Sequence, residues 1–435
     1  MKRVLGIELR RSAALGAALL IAVAGTIVLY TTGGRWSAGW LALATTQREY
    51  LALLSPLALA AGAWQSYREH RANVAELFAS VPRPRPLRIV PILAATASAA
   101  LAAYLVTLFA AAPRIAGTAR YLPPAAFAVV AVGLVAMIAS IWVGLAVGRL
   151  VPALATAPAL AVTGFAVLVF APHALPDGGI ATAFSPMGTS MFSDYDTVAD
   201  QVSAAQALWI AAIAAAGVVL LAAQSRRHAL TALAPLAIGA IATTLLVPTG
   251  DAYARGTLDP AAQRLVCTKD TPRVCVSRAH EGLLPEVAPR ARHALSLLSA
   301  ISVVQAHEDT TTYSPPTAPE PRPDTALMQV TVDNRGHLAH PQRFELAMLI
   351  GAFVTPPACK QVADFDAATT AAYWLLDREP TVGLDGAFLP DRKAVDLWKD
   401  LKRLPRAEAE ARVVAVHRAA QQCRDTSNLL SRSAR

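Results

Sequence analysis

Seven stretches of this chain contain no aspartate, glutamate, lysine or arginine: Ser12–Tyr30, Tyr50–Trp64, Ile89–Ala112, Pro124–Val147, Leu150–Ala171, Val202–Ala223 and Ala229–Val247. Between Ser12 and Val247 charged residues fall only in the gaps between these runs. About 20 apolar residues cross a bilayer, and a surface helix of a soluble protein carries a polar face that none of these runs has. The missing charge therefore excludes a soluble bundle and predicts an α-helical polytopic membrane protein with about seven transmembrane helices. Tyr50–Trp64 is short for a span. It reads either as a buried or re-entrant segment or, lengthened to Gln47–Tyr67 with its tyrosine and tryptophan as interfacial anchors, as the second span.

Other absences narrow the function. Proton- and ion-coupled transporters bury ionisable groups at membrane depth, and runs without them argue against coupling to an ion gradient. No G-x-x-x-x-G-K-[ST] phosphate loop is present, so the chain binds no cofactor of its own and any ATP and magnesium would sit on a separate subunit. His280-Glu281 and His307-Glu308 each begin an H-E-x-x-H frame, but the fifth positions are Leu284 and Thr311, and no G-x-S-x-G surrounds a serine. No catalytic residue is expected, and the chain does not read as an enzyme. His337 and His340 could hold a metal, although a surface-exposed pair is the simpler reading.

Cysteine is missing until the last apolar run has ended; Cys267, Cys275, Cys359 and Cys423 all lie beyond it. Disulfides persist in oxidising compartments, which predicts an extracytoplasmic location for residues 249–435. The short loop favours Cys267–Cys275, leaving Cys359–Cys423. A zinc site is the rival, weakened by the absence of any CxxC pair.

What charge there is lies unevenly. One set of gaps holds Lys2, Arg3, Arg10, Arg11, Arg68, Arg71, Arg83, Arg85, Arg88, Arg149, Arg226 and Arg227; the alternate short loops hold Arg35, Arg48, Arg114 and Arg120. Cytoplasmic loops carry the excess, so the N-terminus is expected inside and, after seven spans, the C-terminus outside. Those twelve cations, less Glu8, Glu69 and Glu76, equal the net charge of +9 of the whole chain. Its basicity is thus topological, and nucleic acid is not an expected partner. The basic Met1–Arg11 before the first run also fits a signal peptide, but the run is span-length and Thr31–Gly39 lacks an A-x-A-like site.

The expected division is a cytoplasmic interfacial segment at 1–11, a transmembrane domain at 12–248 with a cytoplasmic loop at 65–88, and an α-rich or α+β domain at 249–435. In the last, Leu283–Val304, Val362–Asp377, Asp391–Leu404 and Ala407–Cys423 read as helices, and Ala326–Val332 as a strand by its alternation. Tyr313–Asp324, with five prolines, reads as an extended loop. The segment Pro172–Gln201 carries Asp177, Asp194, Asp196 and Asp200 without lysine or arginine; it reads as a solvated outer loop, or as an attractor for a cationic substrate.

Within the 65–88 loop, Val74, Leu77, Phe78 and Val81 fall at i, i+3, i+4 and i+7, with Arg71 and Glu76 on other faces. This predicts an amphipathic helix ended by Pro82, Pro84 and Pro86. Such a helix could rest on lipid headgroups. The stretch Arg71-Ala-Asn-Val-Ala-Glu-Leu-Phe-Ala-Ser-Val-Pro-Arg-Pro-Arg85 resembles the intracellular loop of actinobacterial ABC-2-type transporter permeases, and the resemblance covers roughly residues 1–225. It implies that Val74, Glu76, Leu77 and Phe78 lie on a coupling helix docking on a cytoplasmic ABC ATPase subunit. It further implies an exporter permease that dimerises in the cell membrane, with a seventh span and an outer domain as departures from the plain pattern. The competing expectation is a non-transporting membrane anchor whose outer domain senses or binds a partner.

Overall fold

A computed structural model describes residues 14–72, 85–174, 183–187, 193–247, 257–313, 316–317, 324–354, 359, 364–380 and 392–431. The chain divides into two compact units, Met1–Gly117 with Leu122–Asp259, and Thr118–Tyr121 with Pro260–Arg435.

The first unit is a helical bundle. Its helices are α1 (Ala14–Thr31), α2 (Trp40–Glu49), α3 (Leu51–Arg71), α4 (Arg85–Ala111), α5 (Pro124–Leu150), α6 (Thr156–Ala174), α7 (Asp200–Ala222), the short α8 (Arg226–Leu230) and α9 (Leu233–Leu246). Among the described residues five helical segments are long and apolar enough to cross a membrane: Ala14–Thr31, Ile89–Arg114, Pro124–Leu150, Asp200–Ala222 and Arg226–Leu246. The chain is an α-helical membrane protein. The run Leu150–Ala171 forms a shorter apolar helix, Thr156–Ala171. Tyr50–Trp64 lies within α3, whose 21 residues reach about 31 Å but end in the polar Gln65–Arg71.

Helix α5 is the hub. It packs against α3 and α7, and also meets α4, α2 and α6, while α1 pairs with α4 and α9 with α7. Lipid is as apolar as leucine, so helices associate in it through close packing of small residues rather than through a hydrophobic drive. Accordingly α5 buries Gly133, Ala136, Ala139, Gly144, Ala146 and Gly148. Large apolar side chains of the flanking helices stay exposed, as Leu19, Ile27, Phe170, Ile238 and Leu245 do.

At the α3–α5 seam the backbones touch. A Cβ on Gly144 would stand 2.1 Å from the Leu59 carbonyl oxygen, one on Gly62 2.2 Å from that of Ile141, and one on Gly148 2.6 Å from the Ala63 Cα. Ser66 on α3 closes the contact by donating to the Leu145 carbonyl at 2.7 Å.

The second unit combines a sheet and helices. Strands β3 (Leu265–Cys267), β4 (Arg273–Ser277), β5 (Gln305–Glu308) and β8 (Thr325–Met328) form one sheet in the order β3-β4-β5-β8. β3 is antiparallel to β4, and β4, β5 and β8 run parallel. Two small ladders complete the strands: β1 (Asp196–Thr197) with β2 (Thr257–Leu258) in the first unit, and β6 (Thr312–Tyr313) with β7 (Pro316–Thr317) in the second. The latter ladder lies at the start of the proline-rich stretch that was expected to be extended. The helices of the second unit are α10 (Pro260–Gln263), α11 (Leu284–Leu297), α12 (Pro341–Gly351), α13 (Phe365–Leu375), α14 (Arg392–Lys402) and α15 (Arg406–Gln421).

Helix α11 forms the crossover from β4 to β5, as parallel pairing requires. It stops at Leu297 rather than Val304; a 3-10 turn at Ser299–Ile301 follows, and Ser302 takes a left-handed conformation (φ 60°) before β5 begins. The alternation expected over Ala326–Val332 persists in burial, with Ala326, Met328 and Val330 inside. The strand itself ends at Met328.

Candidate functional site

The first unit encloses a polar cluster on α2, near the ends at which α5 and α7 begin. Leu41 and Ala44 of α2 share an apolar cluster with Ala126 and Val129 of α5 and Val202 of α7. The next turn of α2 presents Gln47 and Arg48, both fully buried. Gln47 Nε2 donates to the Tyr104 carbonyl at 2.7 Å and to Thr107 Oγ1 at 2.5 Å on α4. Arg48 points the other way. Its Nε donates to the Pro186 carbonyl at 3.0 Å, and its Nη2 to Gln206 Oε1 on α7 at 2.5 Å. Gln206 Nε2 in turn reaches the Ser185 carbonyl at 3.4 Å.

Two adjacent residues thus tie α2 to α4 on one side and to α7 and the 185–186 segment on the other. Charge counting along the chain places Arg48 in the short connection between two apolar runs. The structure keeps it between α1 and α3 but makes it a buried residue of the helix α2 rather than an exposed loop residue. An arginine buried among apolar helices is uncommon, and the hydrogen bonds to Pro186 and Gln206 offset part of the cost of its burial. The signal in the sequence was Gln206, a lone amide within the apolar run Val202–Ala223.

Of the residues expected to couple to an ATPase, Arg71 is the exposed last residue of α3, where its charge suits the helix C-terminus. Val74, Glu76, Leu77, Phe78 and Val81 lie outside the described residues. Pro86 is the second residue of α4, a first-turn position where its missing N–H costs nothing; the end of the helix expected before it lies outside the described residues.

The cysteines pair as Cys267–Cys275 and Cys359–Cys423. Cys267 and Cys275 face each other across the β3–β4 ladder.

The two H-E frames contribute one residue each to a buried cluster that neither spacing foretold. His280 Nδ1 lies 2.5 Å from Glu308 Oε1, and Ser277 N donates to Glu308 Oε2 at 2.5 Å. Ser277 Oγ is 3.3 Å from the same Nδ1. A serine hydrolase places its acid and its serine on opposite imidazole nitrogens; here both sit on one. The arrangement clamps β4 to β5.

His337 accompanies Glu286 rather than His340: its Nδ1 is 2.7 Å from Glu286 Oε1, and the Leu338 N–H donates to Oε2 at 3.1 Å. The hydrogen bond to Glu286 raises the His337 pKa above its usual value. His417 is the opposite case. Burial lowers its pKa, while its Nδ1 donates to the Ala352 carbonyl at 2.8 Å. Among the described residues no three histidines, cysteines or carboxylates gather as a metal site.

No protein-family model, curated protein or solved structure matches this chain.

Proposed function

We propose that this protein is the permease subunit of an ATP-driven ABC-2-type exporter in the cell membrane. In this reading the chain has seven spans, its N-terminus is cytoplasmic and its disulfide-bearing C-terminal unit is extracytoplasmic. The observation that carries the proposal is a compact unit of membrane-length apolar helices in which the chain between α3 and α4 is the stretch resembling the ABC-2 coupling loop. The two disulfides support the placement of the C-terminal unit. A separate ATPase would dock on the face of Val74, Leu77, Phe78 and Val81, and its closure would pull on α3 and so on the α3–α5 seam. Two permeases with two ATPases form the working assembly.

The test is capture of the ATPase. Burial of a leucine or phenylalanine side chain contributes about 1.5–3 kcal/mol, so Leu77→Ala with Phe78→Ala should weaken association by roughly two powers of ten or more. Membrane insertion should stay normal. If the double variant retains an ABC ATPase as well as the parent does, the coupling assignment is wrong; if the parent captures none, the competing reading of a non-transporting anchor holds.

A further inference from the structure

We infer that Arg48 and Gln206 form a latch that shuts one end of the helical bundle against water. Three observations converge on it. First, the bonds of Arg48 connect elements far apart in the chain: α2, the 185–186 segment and α7. Gln206 completes the tie by donating to the Ser185 carbonyl. Second, the neighbouring Gln47 anchors the opposite face of α2 to α4, so α2 is wedged between α4 and α7. Separating these two helices must break one set of bonds or the other. Third, the closed arrangement leaves polar atoms unsatisfied. The Gln47 Oε1, the Tyr104 hydroxyl and the Ser203 hydroxyl are buried without a hydrogen-bond partner among the described residues.

Buried polar atoms normally find a partner in protein or ordered water. Leaving three unsatisfied costs free energy that entering water would recover. In this proposal water entering between the helices would satisfy those atoms, and the Arg48–Gln206 bond holds the helices together against it. Ser203 lies one turn from Gln206 on α7 and reports on the space that opening would hydrate. The latch is independent of the permease reading, because it concerns only the bundle.

The experiment uses the full chain in membranes permeabilised so that a charged maleimide reaches both faces. The native cysteines are paired, so a cysteine introduced at Ser203 is the reacting thiol. In the otherwise unaltered chain Ser203→Cys should react slowly. Adding Arg48→Ala or Gln206→Ala should each accelerate it at least tenfold, and the double change should fall short of the product of the two singles, because both remove the shared Arg48–Gln206 bond. Thr96→Cys, buried elsewhere on α4, serves as the control for general loosening. Unchanged labelling of Ser203→Cys overturns the latch. So does equal acceleration at Thr96→Cys, which marks simple unfolding, or multiplicative effects in the double variant, which mark two unrelated contacts.

Discussion

Replacing Gly144 by alanine drives a methyl group into the backbone of a neighbouring helix. The new Cβ would lie 2.1 Å from the Leu59 carbonyl oxygen, with the Leu59 C and Cα at 2.9 and 3.0 Å. None of these atoms is the tip of a flexible side chain, so α3 and α5 must move apart. Ordinary contact begins at 3.4 Å, which asks for about 1.3 Å of separation. A gap of 0.5–1 Å already forfeits about a quarter to a half of each dispersion contact, and overpacking of this kind costs about 1–3 kcal/mol. The Ser66–Leu145 bond at 2.7 Å is stretched as well, adding about 1 kcal/mol. Alanine returns about 1 kcal/mol through its better helix propensity, leaving a net loss of about 1–3 kcal/mol. Gly16 on α1 is the comparison: a Cβ there meets nothing within 4 Å, so Gly16→Ala should be neutral or stabilising. Unfolding of the full chain in detergent, followed by circular dichroism, measures both. The reasoning fails if Gly144→Ala is as stable as the parent, or if the two substitutions shift stability in the same direction.

Topology is tested with Ala72→Cys and Asn428→Cys, both exposed positions; an impermeant reagent should label them from opposite sides, and labelling from the same side would sink the seven-span arrangement. Histidine supplies a pH test with two signs. Burial holds the folded pKa of His417 below the ordinary histidine value of 6.5, so the unfolded state binds more protons below 6.5 and stability should fall as pH drops through that window. His337 has a raised pKa, so its contribution is fully present below 6.5 and fades as pH rises through the folded value. Melting curves of the full chain with His417→Gln should lose the acid-side slope and keep the other; a slope unchanged below 6.5 would refute the assignment to His417.

Membrane character was legible because it needs only composition along the chain: a bilayer demands a length of uncharged residues, and five of the seven uncharged runs became helices of that length. The cysteine pairs were likewise legible, since with four cysteines a short loop closing on itself leaves one partner choice. Helices α11, α13 and α14 stand within the stretches expected to be helical, and α15 starts one residue ahead of its own. Helix α12 and strands β4 and β5 were not legible, because their identity depends on neighbours: β5 exists by pairing between β4 and β8, and both partners are remote in sequence.

The interior was decided by tertiary structure alone. Linear charge counting sees Arg48 as a loop residue, since nothing local records that α2 folds into the bundle and meets Gln206, 158 positions away. Two failed metal-site frames likewise give no sign that His280 of one meets Glu308 of the other. Hydrophobic length is a property of consecutive residues, so the sequence by itself determined that this chain enters a membrane. Which polar groups meet there depends on distances between separate helices, and those exist only once Gly62, Gly144 and Gly148 have let the backbones close.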